Sequence, residues 1–231
     1  MLGLYPTILL VVLISLNEYN VLRIHFESQK KLTKTHWKLY FWQLYFQAIP
    51  LAFAVVGSQL ITHISKYTIG RLRPHFIDLC NPKIKSTGEI ITRFSNCSYP
   101  QVYIIDYECT GVEEHPYLVI DSHLSFMSGH SSHMAVSMVY LIIYLQARWH
   151  LKNGNLGKQA IQTILFSFAF WVALTRISDY KHHWSDVLFG FLQGTLFAIF
   201  TAVYGSNLFK SQQKPISKVH HQSLTSVSMR V

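Results

Sequence analysis

Apolar residues run along this chain in long blocks separated by short clusters of charge. Five blocks approach twenty residues: about Leu4 to Val21, Leu39 to Ile64, Phe126 to Trp149, Gln159 to Ile177 and Trp184 to Ser206. That is the length at which a helix crosses the hydrocarbon of a bilayer. Tryptophan and tyrosine gather near block ends, as in HWKLYFWQLYF (His36–Phe46), which fits an interfacial belt. The pattern predicts an all-α, multi-pass transmembrane helical bundle of about five spans. A soluble all-α protein with buried helices is the alternative, and the blocks are long for it. The first block can also be read as a signal peptide. It lacks a basic leader and ends in LNEYNVLRIHF rather than in a small-residue cleavage site, so a retained span is expected.

Charge then orients the spans. Of 231 residues half are hydrophobic and 13% charged, with a net charge of +9. In a soluble protein such a surplus suggests nucleic acid. Here the basic groups sit largely between blocks, so the expected partner is the bilayer and no nucleic acid. Arg23 to Lys38, then Arg148, Lys152 and Lys158, then the tail Lys210 to Val231 are basic and are expected on the cytoplasmic side. The tail 210–231 has few large apolar residues and is expected to be disordered. Residues 1–209 form the expected transmembrane domain. Alternation puts the N-terminus, the long loop of about 65–125 and the turn near residue 180 on the lumenal or extracellular face.

The long loop agrees. Asn96-Cys97-Ser98 is a glycosylation sequon, meaningful only on that face. Cys80, Cys97 and Cys109 all lie there, consistent with an oxidising compartment and at most one internal disulfide.

Three places far apart in sequence meet on this face. KYTIGRLRP supplies Lys66, Arg71 and Arg73; SFMSGHSSH supplies Ser125, Ser128, Gly129 and His130; TRISDYKHHWSD supplies Arg176, Asp179, His182, His183 and Asp186. Singly, each has an ordinary role: a snorkelling lysine, solvated interfacial charges, a structural His–Asp pair. Jointly they describe a site, because charged groups beside hydrocarbon are costly. Lys and Arg from separate segments ask for an anion, and the guanidinium fork suits phosphate oxygens. Ser-Gly opening a helix adds bare N–H groups and the positive dipole end. His182 and Asp186 stand four apart. If the last helix reaches back that far they share a face, and the carboxylate would hold one imidazole nitrogen while the other attacks. His130 can protonate the leaving oxygen. No metal or other cofactor is expected. A zinc site of His130, His182 and Asp186 is the alternative, and Lys66, Arg73 and Arg176 would repel it.

These residues resemble the type 2 phosphatidic acid phosphatase family, and within it the lipid phosphate phosphatases. The family pattern is Lys, six residues, Arg-Pro; then Ser-Gly-His; then Arg, five residues, His, three residues, Asp. Lys66 to Arg73-Pro74, Ser128-Gly129-His130, and Arg176, His182 and Asp186 match it in order and spacing. GRLRPHF and SDYKHHWSDV are similar to the lipid branch in particular. The resemblance covers about Ile8 to Phe209. It implies a helical core shared with haloperoxidases and a phosphate bound by Lys66, Arg73, Ser128, Gly129 and Arg176. His182 would be the nucleophile forming a phosphohistidine, Asp186 its partner and His130 the acid. Met127 departs from a frequent proline and Thr175 from a serine. The chain is expected to begin at the second of the family's usual six spans.

The expected function is therefore an integral-membrane, metal-independent lipid phosphate phosphatase. Its substrates would be phosphate monoesters such as phosphatidate, lysophosphatidate, sphingosine 1-phosphate and ceramide 1-phosphate. It would sit in a plasma membrane or endomembrane, its site facing outward or into a lumen. The alternatives are a non-catalytic lipid-binding relative and an inactive truncated variant. Homo-oligomerisation stays open.

Overall fold

The computed structural model describes residues 5–27, 34–91, 105–111, 116–149 and 156–209. Asn96, Cys97, Lys152 and the tail 210–231 lie outside the described residues.

Each apolar block becomes a helix. They are α1 (Tyr5–Glu27), α2 (Lys34–Ile69), α5 (Gly129–Arg148), α6 (Leu156–Ser178) and α7 (Trp184–Phe200). A π-helical turn, Thr201–Gly205, extends α7. Tyr40–Ile69, Leu156–Ser178 and Trp184–Gly205 are long and apolar enough to cross a membrane.

The burial pattern separates lipid-facing helices from the centre. In α6 the buried side chains are Ala169 and Ala173, whereas Phe166, Phe168, Phe170 and Trp171 point outward. Small residues inside and large apolar ones outside suit a surround of hydrocarbon, where close helix approach rather than the hydrophobic effect drives packing. In α5, by contrast, every residue from Ser131 to Leu141 is buried. It packs on α7 most extensively, then on α6, α2 and α1. This helix is shielded from lipid, so it can carry Ser131, Ser132, His133 and Ser137 without leaving them in hydrocarbon.

The close contact between α5 and α7 depends on Gly190 and Gly194. A Cβ on Gly190 would lie 2.6 Å from the Ser128 carbonyl oxygen, and one on Gly194 would strike the Ser132 carbonyl. Beneath that contact a buried polar cluster joins three helices. Ser132 Oγ lies 2.7 Å from Ser58 Oγ of α2 and donates to Gln193 Oε1 of α7 at 2.7 Å. Buried hydroxyls need such partners, so the cluster fixes the relative register of the helices that carry the site. Lower in the bundle, Leu10 and Ile14 of α1 join Leu51, Val136, Tyr140 and Tyr144 in the main apolar core.

Between α2 and α5 the chain forms a small cap from α3 (Phe76–Cys80), β1 (Pro82–Ile84), β2 (Tyr107–Cys109) and α4 (Pro116–Ser122). A Cys80–Cys109 disulfide joins α3 to β2. Phe76 packs edge-on against Tyr107 and His123. Arg73 N–H donates to the Ser122 carbonyl at 2.8 Å, tying the cap to the end of α2.

Candidate active site

The C-terminal ends of α2 and α6 and the N-terminal ends of α5 and α7 lie at one end of the bundle. All three sequence blocks arrive there.

The first block is turned inward by Gly70, at φ +59°, whose N–H donates to the Lys66 carbonyl at 3.1 Å. This left-handed conformation suits glycine and ends the helix. Lys66, in the last turn of α2, has its Nζ 3.7 Å from where a Gly129 Cβ would stand. The ammonium thus lies against the first residue of α5. The Arg73 side chain is only 10% exposed, pairs through Nη2 with Asp121 Oδ1 at 2.7 Å, and has a buried Nε without a partner.

The second block starts α5. Ser128 is its N-cap, with Oγ accepting from Ser131 N–H at 3.5 Å. Ser128 N–H donates to the Asp186 carbonyl at 3.0 Å. The fully buried serine therefore fixes the helix entry. The phosphate-facing capacity expected of Ser-Gly rests on the first N–H groups of α5, which no intrahelical carbonyl reaches.

The third block closes the site. Arg176 pairs with Asp179 at 2.8 Å and donates from Nε and Nη2 to Thr175 Oγ1. The N–H groups of Lys181 and His182 both donate to the Arg176 carbonyl. His130 lies within electrostatic reach of Arg176, Lys66 and Arg73, and His182 within reach of Arg73, Lys66 and Asp186.

His182 is buried, and its Nδ1 lies 2.8 Å from the Ser125 carbonyl oxygen. Since a carbonyl only accepts, Nδ1 carries the proton and Nε2 keeps its lone pair. Burial, reinforced by the Arg73 charge, pushes the His182 pKa down to about 3. The ring is a neutral base at neutral pH.

The direct His182–Asp186 bond expected from their spacing is absent. Helix α7 begins only at Trp184 with His183 as N-cap, so His182 precedes the helix and the four-residue rule has no purchase. Asp186 is fully buried and accepts from Arg71 Nη1 at 2.6 Å, from Ser125 Oγ at 2.5 Å and from His183 N–H at 3.1 Å. Its oxygens are thus occupied. Among the described residues no three His, Cys, Asp or Glu side chains gather as metal ligands. Arg71 and Ser125 are the residues that sequence reasoning left without a role. Their signal was position alone: Arg71 two before Arg73, and Ser125 three before Ser128.

A lipid-facing bundle with phosphate-suited cations and two histidines at one end defines a class, and comparison gives the family. Residues 47–210 match the PAP2 superfamily. The chain belongs to this family. It is 46% identical over 158 residues to phospholipid phosphatase 1 of Mus musculus, covering 68% of this chain and 51% of that one. It is 44% identical over 161 residues to phospholipid phosphatase 2 of Homo sapiens, covering 69% and 51%. With phospholipid phosphatase 2 of Mus musculus the match is 37% over 203 residues, covering 87% and 67%. The chain spans about half the length of most of these curated relatives. No solved structure matches it.

Proposed function

We propose that this chain is an integral-membrane lipid phosphate phosphatase that hydrolyses phosphate monoesters through a phosphohistidine on His182. The observation that carries the reading is the His182 Nδ1 bond to the Ser125 carbonyl. It leaves a neutral Nε2 as the nucleophile among cations suited to phosphate.

Lys66, Arg73, Arg176 and the first N–H groups of α5, at Gly129 and next to the Ser128 cap, bind the phosphate oxygens. They stabilise the charge spread over the transferring group, which is the main demand of phosphoryl transfer. His182 Nε2 attacks phosphorus, the N–P bond forms and the bond to the lipid oxygen breaks. His130 gives its proton to that oxygen, releasing the lipid alcohol. In the second half His130 takes a proton from water, the water oxygen attacks phosphorus, and the N–P bond breaks to release inorganic phosphate. The cations of the cradle supply the charge that a metal supplies elsewhere, so the reaction needs none.

Three relatives are named as phospholipid phosphatases. This supports lipid phosphates as substrates: phosphatidate, lysophosphatidate, sphingosine 1-phosphate and ceramide 1-phosphate. The site opens on the extracellular or lumenal face of a plasma membrane or endomembrane. Asn96 is glycosylated there, residues 1–209 form the membrane domain and the tail 210–231 is cytoplasmic.

The test is phosphate release from this lipid panel by the full chain in detergent micelles with excess chelator. Turnover should persist in chelator. Vanadate should inhibit, because it mimics the five-coordinate phosphorus of the transition state. Activity lost to chelator and restored by zinc or magnesium would overturn the reaction as written. A chain that binds lipid phosphates without releasing phosphate would be the non-catalytic relative instead.

A further inference from the structure

A closed ring of hydrogen bonds stands behind the nucleophile. Ser125 N–H donates to the Arg71 carbonyl at 3.0 Å. Ser125 Oγ donates to Asp186 Oδ2 at 2.5 Å. Asp186 Oδ1 accepts from Arg71 Nη1 at 2.6 Å, closing the ring. Arg71 Nη1 also donates to Ser185 Oγ at 2.7 Å.

The ring joins the segment after α2, the segment before α5 and the first turn of α7. It pins Ser125 on both its N–H and its hydroxyl, leaving its carbonyl as the group that meets His182 Nδ1. Asp186 and Ser125 are fully buried. A buried carboxylate without its cation would be strongly unfavourable, and Arg71 is its one cationic partner among the described residues. Arg71 reaches it from a side chain 40% exposed, while Arg73 and Arg176 each have an aspartate of their own.

We propose that Arg71 is a positioning residue for the nucleophile. Its guanidinium holds Asp186, Asp186 holds Ser125, and the Ser125 carbonyl sets the tautomer and aim of the His182 ring. Arg71 does not touch the phosphate. This rests on His182 as the attacking group, and it adds one residue to the three blocks that the family pattern names.

The predicted signature is a loss in kcat with little change in binding. The full chain is purified in detergent micelles as Arg71→Gln, Arg71→Lys, Ser125→Ala and the Arg71→Gln/Ser125→Ala double variant. Steady-state turnover of phosphatidate and inhibition by inorganic phosphate are measured for each. Arg71→Gln should lower kcat about 10- to 100-fold, less than the ~10⁴-fold typical when a triad carboxylate is neutralised directly. KM and inhibition by inorganic phosphate, a ground-state ligand, should stay within about threefold, as for groups acting only in the transition state. Arg71→Lys, which keeps the charge, should recover most of the loss. The double variant should lose little more than the worse single one, because both break the same ring.

Three results would overturn the proposal: kcat near wild type in Arg71→Gln, phosphate affinity falling in step with kcat, or losses that multiply in the double variant. Should Arg71→Gln fail to fold, Ser125→Ala alone decides, since a wild-type kcat there breaks the chain at its second link. Turnover by His182→Asn would overturn the nucleophile assignment itself. With His182→Asn inert, failure in the Arg71 series removes only the positioning role.

Discussion

His182 is held through the backbone of Ser125 and not by the carboxylate four residues downstream: Nδ1 to carbonyl oxygen is 2.8 Å. A main-chain acceptor cannot change its protonation state near neutral pH. It therefore keeps the imidazole in the Nδ1–H form with Nε2 free, whatever the charge on nearby carboxylates.

The same burial makes stability depend on pH. The folded pKa of His182 lies near 3, lowered by burial and by Arg73 and Lys66, while the Ser125 bond and Asp186 oppose the shift. Unfolded, the ring titrates near 6.5. Between these values the unfolded chain binds the extra proton, so stability falls as pH drops below about 6.5. The limiting slope is about 1.4 kcal/mol per pH unit. His182→Asn, whose amide can still donate to Ser125, should lose less on acidification than wild type. Thermal unfolding in detergent from pH 7 to pH 5 measures this, and equal losses in both proteins would contradict it.

His130 is assigned to the leaving oxygen. His130→Ala should slow hydrolysis of lipid phosphates by about 10²- to 10⁴-fold, the usual span for general acid catalysis. A nitrophenyl phosphate, whose leaving group needs no proton, should be partly spared. Comparing single-turnover release of the lipid alcohol and of nitrophenol, which precedes the water step, gives the answer, and equal losses on both would remove His130 from the acid role.

Much of this could be read from the sequence. The helices follow from block length, and the site follows from three blocks brought to one end by alternating spans. The Arg71–Asp186–Ser125 ring could not be read. It runs through main-chain groups, and its geometry depends on α7 starting at Trp184 rather than a turn earlier. KHHWSD is compatible with either start. Only the N-cap position of His183 and the burial of Asp186 decide between them. The α5–α7 approach was equally silent, because Gly190 and Gly194 read as ordinary small residues until Ser128 and Ser132 are set against them.

That approach is itself testable. Gly190→Ala would bring a Cβ to 2.6 Å from the Ser128 carbonyl oxygen, a backbone atom that cannot swing aside. Overpacking of this kind costs about 1–3 kcal/mol, and here it displaces the first turn of α5. Gly190→Ala should lower the unfolding midpoint in detergent and weaken vanadate inhibition together. Gly157→Ala, where a Cβ meets nothing within 4 Å, should change neither.

In the proposed reaction His182 carries the phosphoryl group. The most direct measurement is rapid quench of the full chain with phosphatidate labelled at phosphorus, followed by detection of protein-bound label. Phosphohistidine is acid-labile and base-stable, so the label should survive alkaline quench and be lost in acid. Wild type and His183→Ala, whose Nε2 only meets the Leu72 carbonyl at 3.1 Å, should both be labelled and turn over. His182→Asn should show neither label nor turnover. A labelled, active His182→Asn beside an inert, equally well folded His183→Ala would contradict the account.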